Sequence, residues 1–214
     1  LNSNPNITYT QVNNTVNADG GGDLRTAVST LGATSGKYYA EAKVISIQDA
    51  IHLGLVAADS FAALGSNNYG WAIHQFKKSL TYMYDGYIKN YNNNTVASGL
   101  PTYGANDIIG IAADLDNSKI YFHKNGTYIN SGVPTSGSTG TGAYALTANT
   151  TYLFGSSTNY TNGKVSWNFG NGYFGTTAVS SAQSPDDGNG IFEYDVPAGY
   201  RALCTKSLNA EEYS

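Results

Sequence analysis

The chain has 214 residues, of which 41% are hydrophobic and only 12% charged, with a formal net charge of -4. An average soluble domain carries about 25% charged residues, so the polarity here comes from Asn, Ser, Thr, Tyr and Gly. No basic stripe could neutralise phosphates, which disfavours nucleic-acid binding. Cys204 is the only cysteine, which excludes an intrachain disulfide. No run reaches the ~18 apolar residues of a membrane span, so no membrane insertion is expected.

The length suits one β-sandwich, and we expect a single domain over residues 1–214. The chain starts with Leu1 and not Met, which favours its being part of a longer polypeptide. Residues 38–44 alternate, and this pattern predicts a strand with one core face and one solvent-facing face. The core face would carry Tyr38, Ala40, Ala42 and Val44, and the other face Tyr39, Glu41 and Lys43.

Further along the chain, short apolar runs predict more strands. Residues 51–58 read as a buried strand that ends at a turn formed by Asp59 and Ser60. Residues 70–75 and 79–84 have a similar pattern. The clearest unit is a hairpin, with strands at 107–115 and 119–124, a turn at 116–118, and a second tight turn at Asn125-Gly126.

Residues 151–154, 164–169 and 200–204 complete the set of predicted strands. Gly/Ser/Thr-rich loops separate them, and helical periodicity is scarce throughout. These features predict an all-β fold, an antiparallel sandwich without βαβ units.

Long irregular stretches at 85–106, 131–142 and 176–190 are candidates for function, because loops of this length often carry it. The first stretch places Tyr87, Tyr91 and Tyr103 among several asparagines, a combination of aromatic faces and amides that can hold a partner. The predicted ligand-binding residues are Tyr87, Tyr91 and Asn92 in this stretch and Asn159 and Tyr160 in a shorter loop. The alternative is a solvated loop whose tyrosines fold back onto the sandwich.

Several segments, in order along most of the chain, resemble a SPRY (B30.2-like) domain, a bent β-sandwich of concanavalin-like shape. Residues 35–44 are similar to the family's early strand motif, 52–56 to the next strand, and 69–71 to its Gly-Trp-Gly segment. Residues 106–126 resemble the family's central hairpin almost position for position, and 165–170 its late strand. Ala72 stands where a second glycine is common, and the first 30 residues match poorly.

The tail, residues 192–208, resembles the ending of SPRY-containing structural proteins of bacteriophages. This resemblance implies a virion protein, such as a tail fibre, a spike or a capsid decoration, with the domain displayed outward. The expected localisation is therefore the virion surface.

Candidate catalytic and metal-binding groups have structural alternatives that we favour. Asp114 and Asp116 fall in the predicted hairpin, where they would cap its turn, and the pair Glu193 and Asp195 lacks the third acidic residue of a concanavalin-shaped glycanase. The three histidines, His52, His74 and His123, have no metal-ligand spacing, and residues 186–190 are predicted to form a plain turn rather than a calcium loop. We expect no catalytic residue, no metal and no cofactor.

The leading hypothesis is a non-catalytic module that binds a host surface protein or glycan through loops at one rim of the sandwich. A second hypothesis is a decoration or cement domain that contacts other virion proteins or further copies of itself as a homo-oligomer. A third is a glycan hydrolase of the concanavalin shape.

Overall fold

The computed structural model describes residues 7–10, 15–18, 24–62, 72–159 and 162–212. These residues form two large antiparallel β-sheets, a two-stranded ribbon and two short helices. In chain order the strands are β1 (Ile7–Thr10), β2 (Thr15–Ala18), β3 (Arg25–Val28), β4 (Lys37–Ser46), β5 (Ile51–Ala57), β6 (Leu80–Met83), β7 (Ile88–Asn90), β8 (Asn94–Ala97), β9 (Ile108–Asp114), β10 (Lys119–Lys124), β11 (Thr127–Tyr128), β12 (Tyr144–Ala145), β13 (Tyr152–Thr158), β14 (Lys164–Asn168), β15 (Tyr173–Phe174), β16 (Thr177–Ala178) and β17 (Arg201–Ala202). The helices are α1 (Ala58–Ala62) and α2 (Thr205–Glu212), and 3₁₀ turns lie at Ile73–Gln75, Tyr91–Asn93, Ile129–Ser131 and Pro134–Thr139.

The first sheet has the strand order β1-β2-β14-β4-β9-β10-β11, with β12 beside β10 and β17 beside β4. The second has the order β3-β13-β5-β6-β7-β8. The pairings between the described strands are antiparallel except the two-residue pairing of β17 with β4, and outside the strands a single parallel bridge joins Asn171 to Ile191. The predicted all-β antiparallel sandwich is therefore confirmed. No helix within the described ranges is long and apolar enough to cross a membrane.

The core lies between the inner faces of the two sheets. As predicted, Tyr38, Ala40, Ala42 and Val44 of β4 point into it. Across from them the second sheet contributes buried apolar side chains of β5, β6 and β13. Trp167 of β14 is fully buried among these side chains, and its indole N–H donates to Ser156 Oγ at 3.2 Å. This contact joins the two sheets through the core.

The prediction of a solvent-exposed second face on β4 is wrong. Tyr39 and Glu41 are both 0% exposed, because the segment leading into β17 crosses this outer face of the first sheet. Phe192, Tyr200 and Ala202 of that segment pack against Tyr39. The alternation in the sequence correctly predicted which side chains share a face of β4. It could not predict that the segment around Phe192 and Tyr200, far along the chain, packs on the outer face as a third layer.

Glu41 ties this third layer to the sheet. Its carboxylate accepts backbone N–H groups from Glu193 at 2.9 Å and Tyr194 at 2.8 Å. It also accepts the Tyr39 hydroxyl at 3.0 Å and the Asn168 amide at 3.3 Å. Burial raises the pKa of Glu41, while these four donors favour its charged form.

A hydrogen-bonded chain runs from this carboxylate to His123 of β10. The Tyr39 hydroxyl lies 2.6 Å from His123 Nε2, and His123 Nδ1 accepts the Gly126 N–H at 3.1 Å. Since Nδ1 is an acceptor, the proton of the neutral ring sits on Nε2 and is donated to Tyr39, which in turn donates to Glu41. Gly110 lies between Glu41 and His123 in the register of β4, β9 and β10, and its missing side chain makes room for the imidazole.

The predicted hairpin of β9 and β10 is confirmed, and its acidic pair stabilises turns. Asp114 is fully buried, accepts the backbone and side-chain N–H groups of Asn117 at 3.1 and 2.9 Å, and forms an ion pair with Lys37 at 3.3 Å. Asp116 accepts the Gly36 N–H at 2.7 Å. Asn125 and Gly126 both have positive φ, 49° and 84°, as the two-residue turn between β10 and β11 requires.

Three other predicted elements differ in the structure, and one helix was not predicted. Of the predicted strand 70–75, the described part forms the 3₁₀ turn Ile73–Gln75, while residues 70 and 71 of the predicted Gly-Trp-Gly segment lie outside the described residues. The predicted loop 85–106 contains β7 and β8, and the turn at Asp59-Ser60 is part of α1. The tail after residue 204 forms α2, which the sequence did not predict.

A substitution at Gly110 tests the packing of His123. In Gly110→Ala the new methyl carbon would lie 1.9 Å from His123 Nε2, and the ring is 1% exposed and hydrogen-bonded at both nitrogens, so it has no room to yield. We expect the free energy of unfolding, measured by urea denaturation, to fall by about 2–4 kcal/mol. Gly104→Ala is the control, because nothing lies within 4 Å of its added carbon. Equal losses in the two variants would contradict the packing described here.

The buried histidines predict a pH dependence of stability. Burial lowers the pKa of His52 and of His123 to about 3, while each is near 6.5 in the unfolded chain. Their neutral rings therefore favour folding fully above pH ~6.5, and this contribution is lost as the pH falls from there towards the folded pKa. We expect the free energy of unfolding to drop by up to ~1.4 kcal/mol per pH unit for each ring. Imidazole ¹⁵N shifts that report charged His52 and His123 in the folded protein at pH ~5 would contradict this.

Candidate functional site

Three of the predicted binding residues lie in one exposed hairpin at the edge of the second sheet. We define the rim hairpin as Tyr87–Ala97, which comprises β7, the 3₁₀ turn Tyr91–Asn93 and β8. Tyr87 is 37% and Tyr91 38% exposed, and Asn92 is exposed at the turn. Among the described strands β8 is the last of its sheet, with Asn94, Thr95 and Val96 exposed.

Asparagine shapes this turn through its backbone. Asn92 and Asn93 have φ values of 65° and 61°, in the left-handed region that asparagine tolerates better than most residues. Asn94 Nδ2 donates to the Tyr91 carbonyl at 2.9 Å, and Lys89 Nζ donates to Asn93 Oδ1 at 2.7 Å. The turn also lies against the 3₁₀ turn Ile73–Gln75. The tip of the rim hairpin is thus held in one conformation while its side chains face solvent.

The structure separates the predicted binding residues into distinct places. Tyr87 and Tyr91 leave opposite ends of the three-residue strand β7, about 13 Å apart at ~3.3 Å per residue. Asn159 follows β13 at the Tyr87 end of the sheet, but β5 and β6 lie between β13 and β7. Tyr160 lies outside the described residues, so its role stays a prediction.

Asn159 and Tyr103 serve the fold. Asn159 is 2% exposed, accepts the Ala50 N–H at 3.0 Å and donates to Asp49 at 2.7 Å, which fixes the turn before β5. Tyr103 is 4% exposed, and its hydroxyl lies 2.9 Å from the carbonyl oxygens of both Ile51 and Tyr82. Tyr103 therefore folds back onto the sandwich, as the alternative interpretation expected, whereas Tyr87 and Tyr91 stay partly exposed.

A groove of about 320 Å³ lies beside Tyr91. One wall is the start of β6 with the residues before it, and the other is the end of β12 with the chain after it. The lining residues are Lys78, Ser79, Leu80, Asn90, Tyr91, Asn94, Ala145 and Thr147. We call this the Tyr91 groove. The two walls could not be predicted from the sequence, because they are distant in the chain and neither carries a motif.

Tyr152 holds the two walls together from below. Its ring is buried in the core, and its hydroxyl donates to the Lys78 carbonyl at 3.0 Å and accepts the Thr147 N–H at 2.9 Å. One hydroxyl therefore fixes a backbone group on each wall. The groove exists before any ligand arrives, which lowers the entropic cost of binding.

The polar groups of the Tyr91 groove are mostly uncharged. Lys78 is the one charged side chain among its lining residues, and its ammonium group forms an ion pair with Asp59 at 2.7 Å. Asn90 Oδ1 is buried, and no hydrogen-bond donor reaches it from the described parts of the chain. Asn90 precedes the 3₁₀ turn, yet its side chain does not cap that turn.

The histidines are less isolated than the sequence indicated. The rings of His52 and His74 lie 5.4 Å apart, and burial lowers the pKa of both. Their Nδ1 atoms are buried without a partner in the described structure. Two imidazoles do not complete the four ligands of a structural zinc site, and no three His, Cys, Asp or Glu side chains gather anywhere in the described ranges.

The remaining acidic candidates contact the protein itself. Glu193 accepts the N–H and hydroxyl of Ser180. Asp187 accepts the Asn189 N–H at 2.9 Å, and Asp186 the Gly199 N–H at 2.9 Å, so residues 186–190 form a turn as predicted.

Comparisons with known proteins bear on the fold. No protein-family model and no curated protein matches the sequence. Among solved structures, the chain is similar to a human SPRY domain, with 15% identity and a TM-score of 0.56 over 76% of this chain and 94% of that one. It is also similar to the SPRY domain of human HERC1, with 15% identity and a TM-score of 0.53 over 72% of this chain and 87% of that one. The chain therefore has the fold of SPRY domains.

Proposed function

We propose that this chain is a non-catalytic binding module that recognises a host surface protein or glycan through the rim hairpin. The observation that carries the proposal is the exposure of this hairpin. Apolar side chains on the outer faces of both sheets are covered within the described chain, on one sheet by the segment around Phe192 and Tyr200 and on the other by α1 and the 3₁₀ turn Ile73–Gln75. The rim hairpin instead presents two tyrosines and a run of amides to solvent.

The chemistry of the rim hairpin suits recognition without strong charge. Tyrosine offers a flat apolar face at a low cost in side-chain entropy, and asparagine offers both a donor and an acceptor. Lys89 lies over the Tyr87 ring at 5.5 Å, which orients that ring. Because no cluster of like charges contributes, salt should change the affinity little.

The buried titratable groups agree with a non-catalytic role, because their hydrogen bonds are already made within the fold. Glu41, Tyr39 and His123 have shifted pKa values, as catalytic groups often do. All three are nevertheless sealed under the third layer and saturated by each other and by backbone groups. Asp114 is likewise buried and engaged by Asn117 and Lys37.

We place the module on the surface of a bacteriophage virion, as part of a tail fibre, a spike or a capsid decoration. The resemblance of residues 192–208 to the ending of phage structural proteins supports this placement. The charge-poor, Asn/Thr/Gly-rich composition agrees with it.

Removing the two exposed aromatic faces tests the recognition surface. The double variant Tyr87→Ala/Tyr91→Ala should bind at least about tenfold more weakly than the unaltered chain to intact bacterial cells and printed glycans, because aromatic anchors dominate such contacts. Tyr173→Ala is the matched control, because Tyr173 is 47% exposed but belongs to the separate ribbon of β15 and β16. Unchanged binding by the double variant, or an equal loss in the control, would contradict the proposed surface.

Immunogold electron microscopy tests the location. An antibody raised against the chain should label the outside of intact phage particles from the culture in which the chain is produced. Labelling that appears only after the particles are disrupted, or that is absent from particles, would contradict display on the virion.

A further inference from the structure

We infer that the Tyr91 groove is a subsite for one uncharged sugar residue of a glycan. This inference rests on the proposed function, since the groove is part of the surface assigned to recognition. It goes further by naming the ligand class, which the exposure of the rim hairpin alone leaves open between protein and glycan.

The Tyr91 groove is small, and its walls are fixed. At about 320 Å³ it lies at the lower end of the range for small-molecule sites, so it fits a compact group and not an extended peptide. The Tyr152 hydroxyl holds both walls in place through Lys78 and Thr147. A preformed site of this size selects a rigid ligand, and a pyranose ring is rigid.

The lining residues of the groove carry no charge that lacks a partner of opposite sign. Lys78 alone is ionisable at neutral pH, and its ammonium group is neutralised by Asp59 at 2.7 Å. The other polar groups open to a ligand are the amides of Asn90 and Asn94 and the hydroxyls of Tyr91 and Thr147. The Ser79 hydroxyl is buried and already bonded to the Ala57 N–H and the Lys77 carbonyl. Groups that both donate and accept match neutral hydroxyls, whereas a carboxylated or sulfated sugar would need an unpaired cation.

The groove combines the aromatic ring of Tyr91 with a hydrogen-bond acceptor, Asn90 Oδ1, that has no donor among the described residues. Tyr91 is 38% exposed at the edge of the groove, where its ring can cover the apolar C–H face of a sugar. Turning the Asn90 amide towards a ligand hydroxyl would therefore break no hydrogen bond at Oδ1, and it would satisfy a group that is costly to leave unpaired.

The probes for the test are the methyl glycosides of glucose, galactose, mannose and N-acetylglucosamine. Saturation-transfer NMR detects contact, and titration of the chain gives the affinity. We expect at least one glycoside to bind, with an affinity that stays constant within about twofold up to ~0.5 M salt.

Two variants and a control locate the sugar. Tyr91→Ala should weaken binding at least about tenfold, and Asn90→Leu about three- to tenfold. Asn90→Leu should leave the urea midpoint unchanged or raise it, because it removes a buried acceptor that has no partner. Tyr173→Ala should leave glycoside binding intact, because Tyr173 is exposed but belongs to the separate ribbon of β15 and β16.

The outcomes separate this inference from the proposed function. If no glycoside binds, or if Asn90→Leu leaves the affinity for the glycoside unchanged, the sugar subsite is wrong. Binding confined to anionic sugars and abolished by salt would also overturn it, as would a protein partner that binds the rim hairpin and is not displaced by glycosides. In each of these cases a loss of cell binding in Tyr87→Ala/Tyr91→Ala would still support the rim hairpin, so the proposed function would stand.

Discussion

The buried carboxylate of Glu41 is the interaction on which the outer layer of this molecule depends. Taking a carboxylate out of water costs several kcal/mol, and only well-placed donors offset that cost. Here Tyr39, Asn168 and the backbone of residues 193–194 supply them. Because two of the four donors lie 152 and 153 residues further along the chain, the carboxylate is satisfied only when that segment has reached the sheet.

This requirement links the sheet to the rest of the chain. Docking of the segment buries Phe192 and Tyr200 and covers the outer face of β4, which converts a two-layer sandwich into a three-layer structure there. It also closes the hydrogen-bonded chain from Glu41 through Tyr39 to His123. Gly110 is part of the same arrangement, since a side chain at that position would occupy the space of the imidazole.

The interior and the rim hairpin therefore have separate roles. The interior stabilises the fold, and the rim hairpin offers groups to a partner. The buried polar groups of the first sheet are saturated by the fold, so they have little left to offer a ligand. The rim hairpin carries exposed aromatic and amide groups, and its strand β8 is the last of its sheet among the described strands. Tyr152, whose ring is buried in the core, hydrogen-bonds to both walls of the Tyr91 groove. These bonds fix the walls of the proposed binding surface to the core of the sandwich.

Local patterns in the sequence were sufficient to predict the parts of the fold that depend on local interactions. The β9–β10 hairpin was predicted because strand alternation, an Asp-Asn turn and the pair Asn125-Gly126 all act within about twenty residues. The strand β4 and its core face were predicted for the same reason. Helix α2 was missed because an eight-residue helix with few apolar residues gives almost no periodic signal.

What depends on distant contacts could not be predicted. Glu41 looked solvent-exposed because nothing near it in the sequence indicates the donors at residues 193–194. Asn159 looked like a binding residue because it lies in a polar loop, yet its partners Asp49 and Ala50 bury it. The polar stretch 85–106 contained two short strands that form only because β6 provides an edge to pair with.

The most direct test of these separate roles is a residue-resolved map of the bound surface. Amide chemical shifts of the ¹⁵N-labelled chain would be compared with and without a glycan or protein that it binds. We expect the largest changes on the rim hairpin and on the groove walls at residues 78–80 and 145–147. Changes centred instead on the outer layer around Glu41 and Phe192, with the rim hairpin unaffected, would contradict these separate roles.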